Sequence, residues 1–158
     1  MIHMFAFTVA FTACLGYAIY AGGKPERAAI LAQLVALLLS LAAISFGSIP
    51  VRGLPIGLAL VDVSLALALT ILAMKANRFW TIVLAGMQVA TIFAHFARLL
   101  AFPLPAAGYV IFVQFWSWPM LMVTAFGTYK HQSRKRKFGE EPDWKPFWPH
   151  SAQAVSAI

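Results

Sequence analysis

The sequence predicts an all-α integral membrane protein, a bundle of five transmembrane helices with its N-terminus outside and its C-terminal tail inside. Three observations predict it. Of 158 residues, 61% are hydrophobic and only 11% charged, where a soluble domain carries about 25% charged. Apolar runs of about 20 residues, the length that crosses a bilayer as a helix, recur along the chain. When those runs are threaded back and forth, ten of the twelve Lys and Arg residues fall on one side, as the positive-inside rule requires. A closed β-barrel is the other spanning solution. It needs period-2 alternation, and "AAILAQLVALLLSLAAIS" is apolar on every face.

The first run covers 2–21. "MIHM" lacks the basic start of a signal peptide, so the run is read as an uncleaved helix. Its Cys14 is the only cysteine, which excludes an internal disulfide framework and a thiolate-rich metal site. Ala6, Ala10, Cys14 and Ala18 form a small-residue stripe suited to close helix packing. His3 lies near the outer end, where it can approach the rim of the bundle.

After "GGKPER" the second run covers 27–47. Its Gln33 reads as a helix-contact amide. The third run, 54–74, follows "GSIPVRGLP" and carries one ionisable residue, Asp62. Ala59, Asp62, Ala66 and Ala73 share a face, so Asp62 is expected to point at protein and not at lipid.

The fourth run, 79–102, follows "KANR". Gln88, Thr91, His95 and Arg98 stand at i, i+3, i+7 and i+10 and form one polar stripe, which Ala85 and Thr81 continue. Ile82, Val89, Phe93, Phe96 and Leu100 make the opposite face apolar. The fifth run, 106–127, follows "FPLPAAG". It carries Gln114 with Ser117 one turn deeper, and Pro119, which frees the carbonyl of Phe115.

Depth brings several of these side chains together. At 1.5 Å per residue, Asp62 and Gln114 lie roughly 12 Å below the outer face, His95 roughly 10 Å and Arg98 roughly 6 Å. Asp62, His95, Arg98, Gln114 and Gln88 are therefore expected to form one polar layer in the outer half of the bundle. Leaving one charge unpaired at the membrane centre would cost about 2.5–3.5 kcal/mol.

The hydrophilic tail covers 128–158. Arg134, Lys135, Arg136 and Lys137 should lie against anionic headgroups, at about 1 kcal/mol per basic residue. In "EEPDWKPFWPH", Trp144, Phe147 and Trp148 are costly to leave in water. They read either as an interfacial anchor or as a motif that docks on a partner protein. The formal charge of +7 follows from topology and calls for no nucleic acid.

No GxSxG, HExxH, Walker loop or close carboxylate pair is present, so no catalytic residue and no enzyme activity is assigned. No metal or cofactor is expected. The leading reading is a non-enzymatic, multi-pass subunit of a bacterial-type inner membrane, assembling with other membrane proteins or with itself. A proton-linked carrier or channel built on Asp62 and His95 is the alternative. A haem- or quinone-binding redox protein is the second alternative, with His95 and either His3 or a Met as axial ligands for haem.

Overall fold

The computed structural model describes residues 2–47, 50–51, 54–76, 78–100, 106–139 and Trp144. These form five helices: α1 (Ile2–Ala21), α2 (Lys24–Ser45), α3 (Ile56–Lys75), α4 (Phe79–Leu100) and α5 (Ala106–Phe138). A two-residue antiparallel ribbon, β1 (Pro50–Val51) with β2 (Leu54–Pro55), precedes α3. Three helical stretches, Lys24–Ser45, Ile56–Lys75 and Phe79–Arg98, are long and apolar enough to cross a membrane, and Phe5–Ala21 is a shorter apolar helix.

The helix ends show where local chemistry shifts the boundaries from the apolar runs. α2 starts at Lys24 and not at 27, because the Glu26 carboxylate caps that end: the Gly23 amide donates to Glu26 Oε2 at 3.1 Å. Pro25 fits the first turn, where its missing N–H would have no helical partner anyway. α3 starts at Ile56 and not at 54, because Leu54 and Pro55 are taken by the ribbon.

The largest difference is at α5, which runs 33 residues through position 127 and the whole basic run. Nothing in "TYKHQSRKRKF" breaks a helix, and Lys, Arg and Gln favour one. The helix stops at Gly139, whose φ of +77° is the left-handed turn that glycine adopts cheaply, and whose amide donates to the Lys135 carbonyl at 3.0 Å.

Helices adjacent in sequence pack side by side, α1 to α2 through to α4 to α5. α5 then closes the ring against α1 and also touches α2. Two apolar clusters fill it. One joins Ala29, Leu65, Leu69, Leu72, Trp80, Leu84, Ala85 and Met120. The other joins Phe11, Cys14, Ala18, Ile30 and Leu121. Gly127 makes the α4–α5 approach possible: a Cβ there would lie 2.6 Å from Trp80 Cδ2.

Candidate functional site: two buried polar clusters

The first cluster lies between α3 and α4. Gln88, Thr91 and His95 are all buried on one face of α4, with Thr81 and Ala85 continuing it. The opposite face, Ile82, Val89, Phe93, Phe96 and Leu100, is exposed. Two α4 side chains hold the carboxylate of Asp62. Gln88 Nε2 donates to Oδ1 at 2.9 Å, and His95 Nε2 lies 2.7 Å from Oδ2. Gln88 Nε2 also reaches the Asp62 carbonyl at 3.3 Å. Each carboxylate oxygen thus has a protein partner, while the Asp62 side chain keeps 22% of its surface accessible.

The other residues expected in the layer are placed as follows. Arg98 continues the His95 face, half-buried, towards the end of α4. Gln114 is exposed, and no described contact links it to Asp62. It shares a face with Leu121, seven residues on, yet Leu121 is buried. Packing around α5 thins before Pro119: Gln114 and Phe115 are exposed, Trp116–Pro119 half-buried, Met120 and Leu121 buried. His3 lies in the first turn of α1, and its side chain falls outside the described residues, as does Trp148.

The second cluster sits roughly 15–25 Å away along α4, where the α2 and α4 N-termini meet the late part of α5. Arg78 Nη1 donates to Glu26 Oε1 at 3.0 Å, with both side chains almost fully buried. The same nitrogen lies 3.2 Å from His131 Nδ1. A guanidinium has only donors, so Nδ1 accepts here through its lone pair. Glu26 Oε2 takes the Gly23 amide, so the capping carboxylate is also the ion-pair partner.

Above it, Thr124, Thr128 and His131 form a buried stripe on α5. Gln33 Nε2 donates to Thr124 Oγ1 at 2.9 Å, while Thr124 and Thr128 donate to carbonyls one turn back on their own helix. α1 is tied to α5 by Cys14 Sγ to the Leu121 carbonyl at 3.6 Å and by Tyr17 to Gln132 at 3.3 Å.

Sequence reading assigned Glu26 and Arg78 to charged loops and so missed this cluster. Its signal was the Glu at the third helical position of "KPER" and the 124/128/131 stripe, cut short by ending the helix at 127. On the basic run, Lys135, Arg136 and Lys137 are exposed and Arg134 is half-buried.

Chemically, both clusters tie helices together. Among the described residues no group of three or more His, Cys, Asp and Glu is arranged to hold a metal ion. The hydroxyls of Thr124 and Thr128 donate to the backbone carbonyls of Met120 and Thr124. No known protein family matches the chain, and no curated protein sequence or solved structure matches it either. The functional reading therefore rests on this geometry.

Proposed function

We propose that the chain is a non-catalytic, multi-pass protein of a bacterial-type inner membrane that assembles with other membrane proteins or with copies of itself. All five helices span, with the N-terminus outside and the α5 extension inside. The observation that carries this reading is the Asp62 carboxylate, both of whose oxygens are taken by Gln88 and His95. A membrane charge satisfied in this way fixes helix register. The Glu26–Arg78–His131 cluster does the same at the other end. The polar side chains are thereby spent on holding the bundle, and the apolar outer faces are left for lipid and partners. Ten basic residues at one end support the orientation.

Purification from the native membrane in mild detergent tests this. The reading expects an integral membrane protein, or further copies of this chain, to co-purify in fixed ratio. Recovery of the lone chain under every mild condition contradicts it.

A second reading, a proton-linked carrier, is favoured by the same His95–Asp62 contact, because the partly accessible carboxylate shares one hydrogen with an imidazole. Proton flux in proteoliposomes that vanishes in Asp62→Asn is its signature. A haem- or quinone-binding redox protein draws less support, since His95 Nε2 already faces Asp62. A Soret band from the purified protein would revive the haem form of it.

A further inference from the structure

The end of the bundle that carries Glu26 and Arg78 is ringed by exposed cations: Lys24 and Arg27 on α2, Lys75 on α3 and Lys130 on α5. The chain has five acidic residues; Glu26 and Asp62 are used inside the bundle, and the other three, Glu140, Glu141 and Asp143, immediately precede Trp144. Trp144 itself is half-buried and packs against the apolar cluster to which Ala29, Leu72 and Trp80 contribute. Chain length fits this return. From the buried Thr128 to Gly139, α5 rises roughly 16 Å. The left-handed turn at Gly139 then leaves five residues, a reach of about 17 Å, to bring Trp144 back to the level of the bundle.

We propose that this end of the bundle is the docking surface for the chain's own acidic–aromatic segment, with Trp144 as the anchor and the acids of 140–143 drawn to the cationic rim. The proposal does not rest on the assembly reading. Two forces hold the segment. The indole leaves water for an apolar cluster, which salt does not weaken. The exposed charge pairs are individually weak and screened by salt, so the segment is held reversibly. Docked, it cannot serve as a membrane anchor or engage another protein through Trp144.

The test uses the full chain in lipid nanodiscs with its five tryptophans replaced biosynthetically by 5-fluorotryptophan. Trp144→Phe assigns the Trp144 fluorine signal. A gadolinium chelate in the water and a nitroxide on the lipid then probe its surroundings. The expected result is a Trp144 signal broadened only weakly by either agent, and a Trp80 signal that shifts when Trp144 is replaced. Combining Glu140→Gln, Glu141→Gln and Asp143→Asn should raise broadening by the chelate several-fold and shift the Trp80 signal, while the Trp116 and Trp118 signals stay in place. Strong broadening by the nitroxide lipid in the unmodified chain would show a membrane anchor. Strong broadening by the chelate would show a free motif awaiting a partner protein. Either result overturns the proposal, and so does a triple variant that leaves Trp144 as protected as before.

Discussion

His95 Nε2 lies 2.7 Å from Asp62 Oδ2, although the two residues are 33 positions apart. One hydrogen is held between nitrogen and oxygen, on two helices whose other contacts are largely apolar. Removing the imidazole leaves a carboxylate whose second oxygen has lost its partner. A neutral hydrogen bond between membrane helices averages about 0.6 kcal/mol, whereas a charge stranded near the bilayer centre costs about 2.5–3.5 kcal/mol. The charge dominates. His95→Ala should therefore destabilise the protein more than Asp62→Asn, which removes the charge and keeps an acceptor for Gln88. Thermal unfolding of both variants in nanodiscs checks the ranking.

The Glu26–Arg78 pair is the more deeply buried of the two. Its loss should be correspondingly larger: Glu26→Gln takes the carboxylate charge away from a buried guanidinium and should cost about 3–5 kcal/mol. Adding Arg78→Gln should recover part of that loss, because no uncompensated charge then remains. A double-mutant cycle on the unfolding temperatures reads the coupling.

Gly127 of α5 lies against the Trp80 indole of α4 with no room for a Cβ. Gly127→Ala would place a methyl carbon 2.6 Å from the indole, and overpacking of this kind costs about 1–3 kcal/mol. Trp80→Leu opens a cavity by itself, yet in the Gly127→Ala background it also makes room for the methyl. The double variant should be more stable than the sum of the singles predicts.

Orientation has its own check. A fluorescent protein fused after Ile158 should be bright in a bacterial host, and a reporter active only in the periplasm should be silent at the same point. The opposite pattern would reverse the assignment of the ten-residue basic side.

The fold was legible where one physical signal decided it. Apolar length marked all five helices, and the 3.6-residue period set Gln88 and His95 on one face while matched depth set Asp62 opposite them. Gln33 was legible for the same reason, as a lone amide in an apolar helix. What was not legible depended on neighbours or on helix ends. Glu26 and Arg78 stand at helix starts, where a charge looks solvated, and only the packing of three helix ends shows that it is buried. The α5 stripe continues past the apolar run because helix propensity, not hydropathy, carries it to Gly139. Gln114 shares a face with Leu121, but periodicity names a face without saying whether another helix covers it.

The central claim is that the Asp62 layer holds the bundle for assembly and performs no chemistry of its own. The most direct test combines Asp62→Asn with His95→Gln, a pair that removes the charge yet can still hydrogen-bond, and measures thermal stability together with recovery of the native assembly. The account predicts that stability and assembly move together: both fall further in His95→Gln than in Asp62→Asn, and the double variant, which leaves no charge, regains both. A double variant that regains its stability but not its assembly, or that abolishes proton flux seen in the unmodified protein, would contradict it.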